Sequence, residues 1–173
     1  GESLQPTISE FVAMNRLSLR DSRSQSPDWI EVHNPRDAPL NISGYSLSDD
    51  EADLTKWSFP QETVIEPHGF LVVFGSNGDG NNEEGDDIYT SFNLNGMGES
   101  LFLTGPDGSS ILDSFENYPA QTEDLAYGRN LDGKWTFVQP TPRQINEGVT
   151  FEGWLNPVEF SHHRGFYQDD FTL

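Results

Sequence analysis

The chain has 173 residues, of which 29 are acidic and nine are basic, and its formal net charge is −20 at pH 7. This charge repels nucleic-acid phosphates and anionic lipid head groups, which argues against both as partners. The absence of cysteine excludes disulfides, thiol catalysis and cysteine-ligated zinc. No stretch reaches the roughly 20 apolar residues of a membrane-spanning helix, and no charged, apolar-cored leader opens the chain.

Short segments in which apolar and polar residues alternate run through the first half of the chain, as is typical of β-strands. The alternation places Ile8 and Val12 on one face of the first strand, and Ile30 and Val32 on the inner face of the second. Residues 20–27 are polar throughout and predict a loop. Strands are predicted over residues 8–13, 29–33, 45–48, 55–59 and 69–75. The last of these is apolar on both faces, as expected of a central strand covered on each side.

Turn signals organise the second half of the chain. Asn95-Gly96, Pro106-Asp107-Gly108 and Asp132-Gly133 each predict a hairpin, because these residues adopt positive φ cheaply. The hairpins would join strand 89–94 to strand 100–103, strand 100–103 to strand 111–115, and strand 126–129 to strand 134–137. About ten short strands and no helical stripe favour a β-sandwich over a parallel sheet.

A set of short motifs occurs in a fixed order along the chain. The motifs are Ile8-Ser9-Glu10, Asp28-Trp29-Ile30-Glu31, Ser43-Gly44-Tyr45, Lys56-Trp57-Ser58-Phe59-Pro60, Gly98-Glu99-Ser100-Leu101, Asp113-Ser114-Phe115, Tyr127-Gly128-Arg129 and Pro140-Thr141-Pro142-Arg143-Gln144-Ile145-Asn146. This ordered set resembles the lamin-tail domains of bacterial type, with Arg143 in place of the family's usual glycine. The resemblance covers roughly residues 7–147 and implies an all-β, immunoglobulin-like β-sandwich.

The pattern changes after Asn146. Phe160-Ser161, Gly165-Phe166-Tyr167 and Phe171-Thr172-Leu173 resemble the opening strands of the Ig-like modules that follow chitobiase-type hydrolase domains. We therefore divide the chain into an N-terminal extension (residues 1–6), the sandwich domain (residues 7–147), and a linker with the truncated start of a second β module (residues 148–173). We expect this last part to be disordered or to pair with a partner's edge, within a larger protein.

The acidic loop over residues 77–87 is the clearest candidate for a metal site. Oxygen ligands occupy its alternate positions, as in the start of a calcium loop, at Asn77, Asp79, Asn81 and Glu83. An EF-hand calcium loop would have glycine and glutamate where this chain has Asn82 and Ile88. Calcium is therefore one hypothesis, and a solvated loop without metal is the other. Residues 49–53 form a second acidic cluster, for which turn chemistry is the alternative to metal binding.

Exposed aromatic rings would provide a platform for a glycan, because sugar rings stack on them. Most aromatic residues alternate with polar ones and are assigned to packing. The candidate ligand-binding residues are Trp29, Tyr45, Tyr118 and Trp135.

No catalytic arrangement is singled out by the sequence. A glycosidase needs two facing carboxyl groups, and with 29 acids some pair can always be chosen. There is no Gly-x-Ser-x-Gly elbow and no glycine-rich phosphate loop, and the neighbouring His162 and His163 would point to opposite faces of a strand. We predict no catalytic residue and no enzymatic activity.

The sequence thus predicts a non-catalytic accessory or adhesion module of a larger secreted or cell-surface protein, bacterial by resemblance. Its partners would be other domains of the parent protein, another protein or a polysaccharide, without nucleic acid and without membrane insertion. Calcium is the one cofactor considered. The alternatives are a calcium-stabilised binding module, which predicts calcium-dependent melting, and a hydrolase fragment, which predicts a carboxyl group with a strongly perturbed pKa in a deep cleft.

Overall fold

The structure, a computed structural model, describes residues 4–76 and 87–151. Within this part the chain forms thirteen strands and no helix, and accordingly no helix that could cross a membrane. The strands are β1 (Thr7–Val12), β2 (Trp29–His33), β3 (Leu40–Asn41), β4 (Ser46–Ser48), β5 (Trp57–Ser58), β6 (Val64–Ile65), β7 (Phe70–Phe74), β8 (Ile88–Tyr89), β9 (Leu101–Thr104), β10 (Ile111–Phe115), β11 (Ala126–Arg129), β12 (Trp135–Val138) and β13 (Thr150–Phe151).

The strands form two principal sheets and one small one. A seven-stranded sheet has the order β13-β12-β11-β1-β2-β7-β8, and a four-stranded sheet has the order β10-β9-β4-β5. A separate pair joins β3 to β6. Only β7 and β8 pair in parallel among these strands; the other pairs are antiparallel. The predicted all-β sandwich is confirmed.

An apolar cluster lies on each face of the seven-stranded sheet. The large core lies between the two principal sheets and includes Ile8, Phe11, Ile30, Val32, Leu47, Leu101 and Leu103. A smaller cluster lies on the outer face and includes Val12, Trp29, Val72, Phe74, Ala126 and Val138. Strand β7 contributes to both, as predicted from its two apolar faces, although only β8 lies beyond it in the sheet.

A β-bulge in β1 changes the alternation expected from the sequence. The register with β2 shifts between Ile8 and Glu10, so that Ser9 is an extra residue. The extra residue reverses the alternation, so each side chain after the bulge lies on the face opposite to the one that the sequence predicts. Ile8 and Phe11 therefore enter the large core, whereas Val12 enters the smaller cluster. The prediction that Ile8 and Val12 share one face is wrong for this reason.

Two of the three predicted hairpins are present. Strands β9 and β10 pair across the Pro106-Asp107-Gly108 turn, and β11 and β12 pair across Asp132-Gly133. The turn at Asn95 also forms, with the Gly98 amide donating to the Asn95 carbonyl at 3.0 Å. It connects different sheets, because β8 belongs to the seven-stranded sheet and β9 to the four-stranded one. The hairpin predicted there is wrong, since the residues after β8 cross into the core instead of pairing.

The predicted loop between β1 and β2 is held by a buried carboxylate. The Tyr89 hydroxyl donates to Asp21 Oδ2 at 2.9 Å. Asp21 Oδ1 accepts the backbone amides of Arg23 and Gln25 at 3.0 and 2.7 Å. The hydrogen bonds of Asp21 thus hold this loop in place, although its middle part has no apolar residue to pack against the core.

Candidate functional site

The four aromatic residues predicted to bind a ligand do not form one platform. Trp29 is fully buried on the outer face of the seven-stranded sheet, and Tyr118 is buried in the large core. Neither ring is accessible to a sugar, so the expected exposure is wrong for these two residues. Tyr45 and Trp135 are half-buried and pack against the large core. Ligand binding at Tyr45 and Trp135 stays a prediction.

The residues predicted to bind calcium, Asn77, Asp79, Asn81 and Glu83, lie outside the described residues. Within residues 4–76 and 87–151, no group of three or more His, Asp and Glu side chains is placed so that it could hold a metal ion. Calcium binding by the acidic loop therefore stays a prediction.

The second acidic cluster, at residues 49–53, follows the turn chemistry considered above. Asp49 pairs with Lys56 at 2.5 Å, and the Asp50 carboxylate accepts the Ala52 amide at 2.8 Å. The Asp53 carboxylate accepts the Thr55 amide at 3.3 Å. Internal donors thus occupy these carboxylates, which supports the turn interpretation of the cluster.

A group of partly exposed aromatic rings lies between the edge of the four-stranded sheet and the seven-stranded sheet. The four-stranded sheet ends at β10, whose Phe115 contacts Tyr127 of β11 and Trp135 of β12. We call the rings at this place the aromatic surface; they are Phe115, Tyr127, Trp135 and Phe151. The first three are half-buried, and Phe151 is 39% exposed.

Three rings of the aromatic surface, Phe115, Tyr127 and Trp135, pack against one another and against an arginine. Tyr127 and Trp135 are nearly parallel, with an interplanar angle of 13° and centroids 5.8 Å apart. The Arg129 guanidinium lies 4.8 Å from the centroid of Trp135, and Phe115 makes an edge contact with Trp135 at 4.7 Å. Arg129 also pairs with Asp113 at 2.5 Å, which balances its charge. The surface is therefore apolar and nearly neutral within an acidic protein.

A second feature is a pair of buried carboxyl groups on the outer face of the seven-stranded sheet. Glu10 of β1 lies directly opposite Glu31 of β2, and both side chains are fully buried. Residues 140–146, which we call the closing segment, cover this pair. The Thr141 amide donates to Glu10 Oε1 at 2.9 Å, and the Arg143 amide donates to Glu31 Oε2. We call these two glutamates and the closing segment the carboxylate cluster.

Asn146 ties the end of the closing segment to the sheet. Its Nδ2 donates to the carbonyls of Ser9 at 3.0 Å and Arg129 at 2.9 Å, and its Oδ1 accepts from the Thr141 hydroxyl at 2.6 Å. Ser9, the bulge residue, also donates its hydroxyl to Glu31 Oε1 at 2.6 Å. The bulge residue Ser9 thus makes hydrogen bonds with two members of the carboxylate cluster, Glu31 and Asn146.

Two backbone positions make this close approach possible. A Cβ atom at Gly128 would lie 2.7 Å from the Glu10 Cβ and 2.9 Å from the Asn146 Nδ2, so only glycine leaves the space. Arg143 has a φ of 66°, in the left-handed region that favours glycine. This conformation explains why the resembling domains usually carry glycine at this position.

Burial perturbs both glutamates. Loss of solvation, and then the negative charge of Glu31, raise the pKa of Glu10 from 4.5 to about 8. Loss of solvation raises the pKa of Glu31 to about 7, against the effects of its hydrogen bonds from Ser9 and Arg143. Perturbed carboxyl groups often mark an active site, but these two are sealed beneath the closing segment and bonded to backbone amides. Both carboxyl groups are fully buried, and their hydrogen bonds secure the closing segment.

Sequence reasoning did not identify Glu10 and Glu31 as a pair. The signal was present, because the cluster draws on the Ile-Ser-Glu, Trp-Ile-Glu, Tyr-Gly-Arg and Pro-Thr-Pro motifs noted above. Four motifs separated along the chain thus meet at one buried polar cluster.

These features define the class of the protein as a β-sandwich domain of the immunoglobulin-like type. The model of the lamin tail domain family matches residues 5–118, and the chain belongs to this family. The match spans β1 to β10, and the seven-stranded sheet continues through β13, past the predicted domain boundary at residue 147. No curated protein matches the chain significantly.

The family predicted from the motifs is thereby confirmed. The resemblance of residues 148–173 to a chitobiase-associated module is not part of this match, and from residue 152 onward it lies outside the described residues. It stays a prediction, as do the domain boundaries.

Proposed function

We propose that the chain is a non-catalytic accessory module of a larger secreted or surface protein of bacterial type, and that it contacts a protein partner through the aromatic surface. The observation that carries this proposal is the group of partly exposed rings at the edge between the two sheets, Phe115 of β10, Tyr127 of β11, Trp135 of β12 and Phe151 of β13. Contiguous exposed apolar rings are characteristic of interaction sites, and aromatic residues dominate the binding energy of protein interfaces.

The ring geometry favours a protein partner over a glycan. A sugar stacks on an open ring face, but Trp135 already has Tyr127 and Arg129 against it. Protein side chains, in contrast, can pack against ring edges and against the aliphatic part of an arginine. The net charge of −20 disfavours acidic partners, so a neutral or basic apolar segment fits best.

The carboxylate cluster supports the non-catalytic part of the proposal. A hydrolase fragment would need a carboxyl group of perturbed pKa that a substrate can reach. Glu10 and Glu31 have raised pKa values but are fully buried. Burial separates them from any substrate in the folded domain.

Calcium binding at Asn77, Asp79, Asn81 and Glu83 is a separate proposal, tested by melting the protein in calcium and in chelator. A higher Tm in calcium is expected if the ion binds only the folded state. Replacing Asp79 with Asn should remove that increase, and an unchanged wild-type Tm would refute the proposal.

The protein partner is tested by selecting from a displayed peptide library and, in parallel, screening a glycan array. Peptides enriched on the wild-type chain should bind Tyr127→Ala and Trp135→Ala at least about tenfold more weakly, equivalent to about 1.4 kcal/mol. Leu131→Ala is the control, because Leu131 is 70% exposed in the turn beside the surface. Binding should survive this change.

Three results would contradict the proposal: no enriched peptide, peptide binding that both aromatic variants retain, or binding to glycans alone. The last result would restore the polysaccharide ligand considered from the sequence.

A further inference from the structure

We propose that Glu10 and Glu31 form a pH-dependent lock, which holds the closing segment on the sandwich while the pair retains a proton and loosens when both carboxyl groups are ionised. The lock is independent of the partner proposed above. It concerns residues 140–146 and the edge strand β13 that follows them.

The geometry of the pair is the basis of this inference. Glu10 and Glu31 face each other across β1 and β2 without solvent contact. Three of their four carboxyl oxygens accept a hydrogen bond from Thr141, Arg143 or Ser9. The fourth, Glu10 Oε2, is buried without a hydrogen-bond partner among the described residues. A buried oxygen in that position is tolerated far better in a neutral carboxylic acid than in a carboxylate.

The surroundings offer little compensation for a second negative charge. Strand β7 places Val72 opposite Glu31, and strand β11 places Gly128 opposite Glu10. The closing segment contributes Arg143, whose positive charge favours ionised Glu31. Glu31 is the charged group that acts on Glu10. One carboxylate can therefore be balanced in the cluster, and the second adds repulsion directly beneath the closing segment.

The direction of the pH effect follows from proton linkage. The raised pKa values mean that the folded protein holds protons which the unfolded chain releases above its ordinary value of 4.5. The folded state then binds more protons, so stability decreases as pH rises through the window that ends near the folded pKa of about 8. Below the unfolded pKa of 4.5, the two glutamates make their full contribution to the stability of the folded protein.

Other titrations leave the upper part of this window, above pH 7, largely clear. Burial raises the pKa of Asp28 to about 6, so its contribution ends below that range. Burial lowers the pKa of His33, so its proton favours the unfolded state and destabilises on acidification, opposite to the glutamates. The range between pH 7 and pH 9 therefore reports mainly on Glu10 and Glu31.

The test compares the full chain with Glu10→Gln and Glu147→Gln. Glutamine at position 10 keeps an acceptor for the Thr141 amide and removes the charge, whereas Glu147 is an exposed carboxylate next to the closing segment. The readouts are the urea unfolding midpoint between pH 6 and pH 9, and the exchange protection of the Thr141 and Arg143 amides, corrected for base catalysis.

We expect the wild-type midpoint to fall with pH, and the protection of both amides to fall about tenfold or more from pH 6 to pH 9, since one pKa unit corresponds to a factor of ten. Glu10→Gln should keep only the dependence due to Glu31, which ends near that group's pKa of about 7, so its midpoint should be nearly constant between pH 8 and pH 9 and higher than that of wild type at pH 9. Glu147→Gln should behave as wild type.

A flat wild-type profile, or a Glu10→Gln profile as steep as that of wild type, would overturn the proposal. If Glu10→Gln fails to fold, a carbon-13 titration of the wild-type side chains decides the question directly. Ordinary titration of both glutamates near 4.5 would then refute the lock.

Discussion

The two faces of the seven-stranded sheet solve the problem of burial by different means. The inner face is apolar and is covered by the second sheet. The outer face is half apolar, around Trp29, and half polar, around Glu10 and Glu31, and loop segments cover it. Apolar packing has no required direction, so many side chains of suitable volume can satisfy it. A buried polar group needs a particular donor at a particular place, which restricts residues across the whole cluster.

The largest effect is expected from removing the ring that anchors the apolar half. Trp29→Ala should lower the free energy of unfolding by about 3–5 kcal/mol, because it deletes a fully buried ring and leaves a cavity. It also removes the indole donor to the Ser18 hydroxyl at 3.2 Å. Urea unfolding measures the loss.

Trp135→Ala is the matched control for this change. Its ring is half-buried, so a loss of about 1–2 kcal/mol is expected. Equal losses for the two tryptophans would mean that the inner and outer aromatic groups do not differ in burial as described.

The next effect concerns the space beneath the closing segment. Gly128→Ala should cost about 1–3 kcal/mol, because its methyl group would press on the Glu10 side chain and the Asn146 amide. Gly105→Ala is the control, since its Cβ would meet nothing closer than 3.6 Å and its φ is not positive. Calorimetric Tm values of the two variants compare them. A Gly128→Ala Tm no lower than that of Gly105→Ala would show that the cluster tolerates expansion.

The smallest effect tests the strained position in the closing segment. Arg143→Gly should stabilise the protein at pH 6 by up to about 1 kcal/mol, because glycine adopts positive φ without strain. The gain should shrink at pH 8, since ionised Glu31 loses the favourable charge of Arg143. Urea unfolding at both pH values measures the difference. A gain that grows with pH would contradict the charge interaction.

The sheet and its hairpins were predictable because local rules govern them. Alternation located β1 and β2, a continuous apolar run located β7, and the turns at Gly108 and Gly133 identified their hairpins correctly. The Asn95-Gly96 turn shows the limit of such rules. A turn dipeptide reverses the chain but does not choose the sheet that the next strand joins, and here that choice follows from burying Phe92 and Leu94 in the large core.

The candidate sites were harder to predict because burial decides them. Trp29 and Trp135 each begin a strand after a charged residue, yet Trp29 is fully buried on the outer face and Trp135 is half-buried against the edge strand of the second sheet. Coverage of this kind depends on segments far away along the chain. A single strand cannot indicate which of its faces will be covered.

The sequence by itself determined the all-β class, most strand positions and the family, because these depend on local alternation, turn residues and motif order. Only the tertiary structure decided that Glu10, Glu31, Gly128 and Asn146 meet in one cluster. Their proximity depends on the Ser9 bulge, which turns Glu10 to the outer face, and on the return of the closing segment more than a hundred residues later. Carboxyl groups that look like ordinary strand residues in the sequence are buried by that return, and burial gives them their raised pKa values.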